Sequence, residues 1–437
     1  MTKPSQPHHP KADVWRLNSR QRLVGFALVF NLAGATGNIQ AASRPDAAIS
    51  PPNAGILATI HALKPGASAW LPPVRTTGRI NNEQRAFGMH KTGPRPRNYS
   101  LKWVWAEDRG RALYAGANHA APHRLNDVWE FDLPSNTWVG LWDPDPDLHK
   151  ASPETIAAVF ETREGIPMTR RGAPFDPLHT WWALAYDPVR RELIWDIGNF
   201  NKVRWNYPGF KDRTSQSQYL WAYSPGNNKW SYLRTQNPLR QTNADMLEYI
   251  PELGGLVYYS NNWALRGMYV LERGAGLPAW RNLRPNEGAD LKGTAFPQPE
   301  AVGCWLPTAN LWLVQSHHAT HHYNPELNTW SQVLAGEKGT VPNGMDNRAA
   351  MVCDPNTRRA YLVEADSSDS TGRRGRLWSY DPRTTTWTLL TPHGPKPEWG
   401  LVYFDPRHRV LVAQGHGERP WIYRPGPIPE RFASSSN

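Results

Sequence analysis

The chain has 437 residues and a formal net charge of +11 at pH 7, and 39% of its residues are hydrophobic, which is ordinary for a soluble globular protein. Its 22 Trp, 41 Pro and 34 Gly are unusually many. Aromatic residues separated by turn residues indicate many short strands, so a mainly helical fold is excluded.

The N-terminus has the order of a secretory signal. Five basic side chains in residues 1–22 precede an apolar run from Leu23 to Ala35, and small residues follow around Ala41 to Ser43. The run is too short for a transmembrane helix. The pattern predicts a signal peptide, residues 1–42, a secreted or periplasmic protein, and no transmembrane segment in the mature chain. An uncleaved anchor or a disordered tail is the alternative.

The charge that remains after cleavage favours an anionic partner. Residues 1–42 contain five basic and one acidic side chain, so their removal lowers the formal charge from +11 to +7. A secreted protein that is still basic suggests an acidic glycan or polysaccharide. Zinc-finger spacing and RNP-like motifs do not occur in the sequence, so no nucleic-acid partner is expected. We expect a monomer.

One pattern recurs along the chain: an aromatic residue, a polar turn, and a Trp seven positions after the aromatic. The four aromatic–Trp pairs are Phe131–Trp138, Tyr223–Trp230, Tyr323–Trp330 and Tyr380–Trp387. Recurrence of this kind is typical of repeat architectures.

Each repeat resolves into four short strands, the last of which carries the Trp. Six sets are found, but the sixth ends at Tyr423 without a fourth strand. The segment Ser68 to Leu71 precedes the first set and supplies the missing strand with Trp70. The pattern therefore predicts that an N-terminal strand completes the last blade and closes the ring, since closure removes exposed sheet edges.

Four-stranded units with a period near 50 residues and a late Trp resemble kelch repeats of the secreted bacterial type. The resemblance covers about Ser68 to Tyr423, and the double glycine of the full motif occurs only as Gly254-Gly255, before a second strand instead of after it. It implies an all-β fold, a six-bladed kelch-like β-propeller with four strands per blade, as a single domain over residues 43–437.

Two stretches interrupt the repeats. Residues 72–98 form a long excursion rich in Arg, Pro and Gly, and residues 143–180 form an inserted loop. Within the insertion, Ser152, Pro153 and Glu154 resemble a helix start, and an apolar face follows before Gly165. We predict a short helix there.

The two cysteines, Cys304 and Cys353, both fall inside apolar strand-like runs. The sequence favours buried thiols over a disulfide framework, because only two cysteines occur and both have a core-like context.

In a propeller, the loops after the second strands and the links between blades meet on one face, where binding chemistry usually lies. Every blade ends its second strand with a polar residue. The six pairs at these positions are Asn118-His119, Gly198-Asn199, Asn261-Asn262, His317-His318, Asp366-Ser367 and His416-Gly417. Arginines and aromatic residues occur in the same loops, a mixture that fits an acidic carbohydrate. Polar residues are also expected in turns for conformational reasons alone.

The first functional hypothesis is a polysaccharide lyase acting on uronate chains by β-elimination, by analogy with propeller-fold uronate lyases. A His base removes the proton next to the uronate carboxylate, and cationic groups neutralise that carboxylate. The expected catalytic residues are His119, His123, His416 and Tyr207. The expected substrate-binding residues are Asn199, Arg204, Trp205, Asn262, Trp263, Arg266 and Arg374.

A metal is the alternative role for the segment His317 to His322. Residues four apart can face each other across a hairpin turn, so His318 and His322 are the candidate ligands for Zn or Cu. Against this, His321 occupies a position where other blades carry packing residues. Our main expectation is that no cofactor is bound.

The sequence leaves open whether the protein is an enzyme. It contains no HExxH, no phosphate-binding glycine loop and no nucleophile elbow. The alternatives to the lyase are a non-catalytic propeller module that binds glycan or protein, and a sugar mutarotase-like isomerase. Kelch-type copper-radical oxidases need a Cys–Tyr pair beside two His ligands, which the core-like context of both cysteines disfavours.

Overall fold

The computed structural model describes residues 50–117, 125–145, 153–164, 166–175, 177, 179–196, 220–239, 245–262, 265–274, 276–288, 290, 293–345, 347–391 and 394–426. These residues form six sheets, one per blade, and a separate two-stranded hairpin. The predicted all-β, six-bladed propeller is thereby confirmed. The predicted signal peptide lies outside the described residues.

The first elements precede the first complete blade. They are α1 (Ala54–Ala62), β1 (Ser68–Trp70), β2 (Arg75–Gly78), α2 (Asn82–Ala86) and α3 (Met89–Thr92). Asn53 caps α1, because its side-chain oxygen accepts hydrogen bonds from the Gly55 and Ile56 N–H groups. Asn81 and Gln84 form a capping box at the start of α2.

The first blade and the insertion follow. The blade contains β3 (Val104–Ala106), β4 (Arg111–Tyr114), β5 (Val128–Asp132) and β6 (Thr137–Trp142). The insertion contains α4 (Pro153–Val159), β7 (Phe160–Arg163) and β8 (Ile166–Thr169). The short helix is found where it was expected. The β7–β8 hairpin was missed, because the sequence pattern of a helix end at Gly165 also fits a hairpin turn.

The remaining blades take their strands in chain order. The second contains β9 (Leu184–Asp187), β10 (Glu192–Asp196), β11 (Leu220–Ser224) and β12 (Lys229–Tyr232). The third contains β13 (Met246–Ile250), β14 (Gly255–Asn262), β15 (Leu265–Glu272) and β16 (Ala279–Asn282). The fourth contains β17 (Val302–Leu306), β18 (Leu311–Ser316), β19 (Ala319–Asn324) and β20 (Thr329–Ala335).

The fifth blade contains β21 (Ala349–Cys353), β22 (Ala360–Ala365), β23 (Gly375–Asp381) and β24 (Thr386–Leu389). The sixth takes β25 (Leu401–Asp405), β26 (Val410–Gln414) and β27 (Trp421–Tyr423) from the C-terminal part and β1 from the N-terminal part. The described residues also include three 3-10 turns, at Pro251–Leu253, Pro285–Gly288 and Pro307–Ala309.

The first strand of every blade lies innermost. These six strands, β3, β9, β13, β17, β21 and β25, contact their neighbours in an unbroken circle. Their side chains are mostly buried and enclose a central channel. The strands within each blade are antiparallel, apart from the extra strand β2, which pairs in parallel with β6.

The seven-residue spacing of the sequence pattern is a cross-strand pair. Phe131 lies directly opposite Trp138, and the same register joins the other three pairs of the pattern. Their ring centroids lie between 4.9 and 5.3 Å apart. Each such aromatic pair contributes about 1 kcal/mol beyond the area that it buries. The Trp residues of the pattern therefore pack the blades.

The ring joins its two ends in the sixth blade. β1 pairs antiparallel with β27, with Ser68 opposite Tyr423 and Trp70 opposite Trp421. The outer edge of β27 is therefore paired within the molecule and cannot recruit another chain.

A buried ion pair fixes the excursion of residues 72–98 to the first blade. Arg97 donates to Asp127 at 2.6 Å and to the Gly116 carbonyl at 2.5 Å. Asp127 also accepts hydrogen bonds from Trp129 and Gln84. Because each of the two charged groups has several hydrogen-bond partners, the free-energy cost of burying them is offset.

The expectation of two buried thiols is wrong. Cys304 of β17 and Cys353 of β21 form a disulfide, with their Cα atoms 5.6 Å apart. The two strands belong to neighbouring blades, so the apolar context that suggested separate core residues places them side by side. Both cysteines of the sequence are used, and no thiol remains.

Candidate functional site

The antiparallel blades place their connections at two opposite ends. We call the end with the loops after the second strands and the links between blades the loop face, and the other end the turn face. Described residues of the loop face lie in the loops 317–318, 366–374 and 415–420 and in the links 79–101, 143–145, 234–239, 283–288, 293–301, 336–345, 390–391 and 394–400.

Several expected site residues lie outside the described part of the chain. They are His119, His123, Asn199, Arg204, Trp205, Tyr207 and Trp263. Asn262 ends β14, where its backbone pairs with Leu265, and its side chain is not described. The roles of these residues stay predictions.

His416 lies in the loop after β26 and is the one expected catalytic residue that the structure describes. Partial burial of its ring and the positive charges of Arg95 and Arg373 lower the pKa of His416 below 6.5, while Glu398 opposes them. The side chain still reaches solvent. A histidine that is neutral at pH 7 and accessible can accept a proton from a ligand.

Two side chains hold the His416 loop in place. The Gln414 amide donates to the carbonyls of Thr92 and Gly417, at 2.8 and 3.2 Å, while its oxygen accepts from Trp138 at 2.8 Å. The carboxylate of Glu398 accepts from the Gly417 N–H at 3.0 Å. The orientation of this loop is therefore fixed from both sides.

The loop after β22 presents two exposed arginines, Arg373 and Arg374. The Asp369 carboxylate accepts their backbone N–H groups at 3.0 and 2.7 Å. Hydrogen bonds from Thr371 and from these N–H groups lower the pKa of Asp369. Both guanidinium groups stand on a loop whose backbone is ordered by a carboxylate, which suits them for binding anions.

A second carboxylate, Asp366, anchors the start of the same loop. Burial raises the pKa of Asp366, but hydrogen bonds from Lys396 and Ser368 outweigh it and lower the value to about 2. Lys396 belongs to the link between the fifth and sixth blades. The loop is therefore tied to its neighbouring blade through an ion pair.

Arg266 lies at the same face of the third blade. It pairs with Asn261 at the end of the β14–β15 hairpin, and its side chain is exposed. The described residues show no contact that joins Arg266 to the His416 group, so the two remain separate parts of the face.

The two candidate metal ligands are not across a turn from each other. His317 and His318 form the tight turn itself, and His322 lies farther along β19, opposite Leu313. Four residues of strand span about 13 Å, too far for one metal ion. His322 Nε2 instead contacts the Tyr380 hydroxyl at 2.9 Å. Among the described residues, no group of three or more His, Cys, Asp or Glu side chains is arranged to hold a metal.

Sequence reasoning missed one cluster, formed by Tyr99, His179 and Trp181. The Tyr99 and Trp181 ring centroids lie 4.4 Å apart, and those of His179 and Trp181 lie 5.4 Å apart. All three have a positive φ, 58°, 51° and 53°. Bulky residues rarely adopt this conformation, and such strain concentrates at functional sites. No residue pattern in the sequence indicates a positive φ at these positions.

Fold and site define the protein as a six-bladed β-propeller with a cationic, histidine-bearing loop face. No protein-family model matches the sequence, and no curated protein matches it. The kelch subclass therefore stays a prediction. Within the described part of the chain, no helix is long and apolar enough to span a membrane.

Two solved structures are among the structural matches. TolB from Acinetobacter baumannii is 9% identical, with a TM-score of 0.38, and the match covers 72% of this chain and 63% of that chain. A GH74 enzyme from Niastella koreensis is 13% identical, with a TM-score of 0.37, and the match covers 73% of this chain and 41% of that chain. This chain thus spans less than two thirds of either, and likenesses this low carry no functional argument.

Proposed function

We propose that the protein is a secreted or periplasmic kelch-like propeller that binds an acidic carbohydrate at its loop face and cleaves it as a uronate lyase. The observation that carries the proposal is the group of His416, Arg95, Arg373 and Glu398, in which partial burial and then the two cations lower the pKa of a histidine that reaches solvent. This combination provides a base and a carboxylate-binding charge at one place.

The proposed reaction uses these groups in separate roles. A guanidinium from Arg95, Arg373 or Arg374 pairs with the uronate carboxylate, which makes the neighbouring C–H bond more acidic. Neutral His416 takes the proton from the carbon next to the carboxylate. The electron pair that remains forms a double bond to the next ring carbon, and the bond between that carbon and the glycosidic oxygen breaks. The leaving oxygen then needs a proton, for which Tyr207 and Tyr99 are the tyrosine candidates.

The disulfide supports the proposed location. Disulfides persist in oxidising compartments and are rare in the cytosol. The Cys304–Cys353 bond joins two blades, and the N-terminal basic–apolar–small order has the form of a secretory signal. Both observations favour export, after which an extracellular polysaccharide is within reach.

The experiment is an absorbance assay for unsaturated uronate on a panel of uronate polysaccharides. We expect activity on at least one polymer and a loss of at least a hundredfold in kcat in His416→Ala. Arg374→Gln should mainly raise KM. Absence of unsaturated product on the whole panel would reject the lyase, and full activity in His416→Ala would reject this base.

The second candidate is a binding module without catalysis. It is favoured by the exposed, carboxylate-ordered arginines Arg373 and Arg374, which need no base beside them to hold an anion. In that case glycan binding is retained in His416→Ala and lost in the Arg373→Gln/Arg374→Gln double variant. Titration of the same polysaccharides by calorimetry separates the two functions.

A further inference from the structure

The central channel contains a cavity of about 350 Å³ at the turn face, on the opposite side from the proposed glycan site. The first strands of all six blades line it, together with the residues that follow them. The volume is at the lower end of the range of small-molecule sites. Exposed prolines at its rim, Pro251, Pro307 and Pro355, leave it open to solvent.

Aromatic side chains form the walls. Five of the six first strands carry one near the turn face, namely Trp105, Tyr186, Tyr249, Trp305 and Phe404, and the sixth carries the disulfide cysteine Cys353. Flat rings on nearly every side favour a flat apolar ligand.

Three charged side chains line the cavity: the largely buried pair Lys102 and Glu248, and the exposed Glu107. Lys102 donates to Glu248 at 3.0 Å and to the Leu247 carbonyl at 2.6 Å, which joins the first and third blades. Both side chains are largely buried. The charges of Lys102 and Glu248 compensate each other at contact distance. Glu107 is exposed to solvent, so the buried part of the lining offers no uncompensated charge to a ligand.

Four hydrogen-bond donors in the lining have no acceptor among the described residues, namely the indole Nε1 atoms of Trp103, Trp105 and Trp305 and the hydroxyl of Tyr403. Trp103 and Tyr403 are buried, whereas Trp105 and Trp305 are only partly buried. Buried polar atoms are nearly always paired in native proteins, and an indole can only donate. A ligand in this cavity is therefore expected to bring an acceptor.

We propose that the turn-face cavity binds a small, neutral, planar aromatic molecule that carries a hydrogen-bond-accepting oxygen. Its ring packs against the aromatic walls, and its oxygen accepts from Trp305 or Trp105. Because the site lies at the other end of the channel, it is independent of the proposed glycan chemistry.

The test uses coumarin, which is planar, neutral and has a carbonyl oxygen. Calorimetry of the full-length protein should show saturable binding at one site. Octahydrocoumarin keeps the carbonyl but is not planar, and naphthalene is planar but has no acceptor. Both should bind at least tenfold more weakly, measured by ligand-observed NMR. Equal binding of either control, or no binding of coumarin at millimolar concentration, would overturn the proposal.

Variants locate the site. Trp305→Phe keeps a flat ring and removes the N–H, so coumarin affinity should fall about tenfold, the value of one hydrogen bond. Trp105→Phe is the second variant, in case Trp305 is needed for folding. Trp142→Phe is the matched control, because its indole N–H also lacks a partner among the described residues but lies outside the cavity. Unchanged affinity in both cavity variants would place coumarin elsewhere.

Discussion

At the scale of single residues, burial and neighbouring charges decide which histidines can transfer a proton to or from a ligand. His416 reaches solvent between two arginines and a glutamate. His321 and His322 are embedded in the fourth blade, where burial lowers the pKa of each to about 4. The first environment suits proton transfer, and the second suits packing.

The charges around His416 can be tested without a substrate. Arg373→Gln removes a cation that lowers the pKa of His416, so that pKa should rise toward 6.5. Glu398→Gln removes an opposing anion, so the pKa should fall further. Proton NMR titration of the imidazole measures both, with His416→Gln to assign the signal. Shifts in the same direction would contradict this electrostatic account.

Acid should destabilise the protein through the fourth blade. The native pKa of about 4 for His322 lies below the unfolded value of 6.5. The unfolded chain therefore binds more protons between these pH values, and stability is lost as the pH falls from 6.5 to 4. His322→Phe keeps the packing but loses the contact with Tyr380. It should cost about 1 kcal/mol at pH 7.

The same variant should lose less stability than the parent on acidification. Urea unfolding at pH 7 and at pH 4.5 measures this difference. His61→Phe is the matched control, since it makes the same substitution at an exposed position on α1. An unaltered acid response in His322→Phe would show that other groups control it.

At the scale of strands and blades, the pattern that recurs in every blade can be predicted from the sequence, and pairings that lie outside this pattern cannot. The six predicted sets of four short strands are found, because aromatic and branched residues between turn residues mark strands locally. β2 was missed because it pairs in parallel with β6, across about 60 residues and without a local turn. The disulfide was missed for the same reason, since a partner in another blade leaves no mark on the local sequence.

The disulfide should stabilise the contact of the fourth and fifth blades. It closes a separation of 49 residues. In the chain-entropy model such a link contributes about 4 kcal/mol, and measured values are commonly about 2–4 kcal/mol. Cys304→Ala/Cys353→Ala should lower the free energy of unfolding by that amount in urea. Reduction of the parent should reproduce the loss, whereas equal stability in all three samples would contradict it.

At the scale of the whole molecule, the ring determines both candidate sites. It places residues far apart in sequence, such as Arg95 and His416, on one loop face, and it forms the opposite cavity from six separate strands. Sequence spacing could predict the number of blades and which loops lie together on one face. It could not predict the strained Tyr99 cluster or the cavity, because both depend on how neighbouring blades tilt and pack.

Closure can be tested by trimming the N-terminus. A variant that begins at residue 72 lacks β1 and exposes the edge of β27, while a variant that begins at residue 50 keeps the pairing. The shorter protein should melt at a lower temperature and should associate in a concentration-dependent way, because unpaired edges recruit other strands. Differential scanning calorimetry and light scattering compare the two. Equal melting and monodispersity would show that β1 is dispensable.

The pairing of Trp70 with Trp421 also joins a strand that is synthesised early to one that is synthesised late. The ribosome makes β1 early and its partner about 350 residues later, which at roughly 5–20 residues per second is a wait of about 20–70 seconds. During that interval the first-made strand has no native partner, while the middle blades can already pair within themselves. A nascent chain that stalls before the sixth blade therefore keeps two unpaired strand edges, which makes the last blade the point at which biosynthesis is most exposed to aggregation and to chaperone capture.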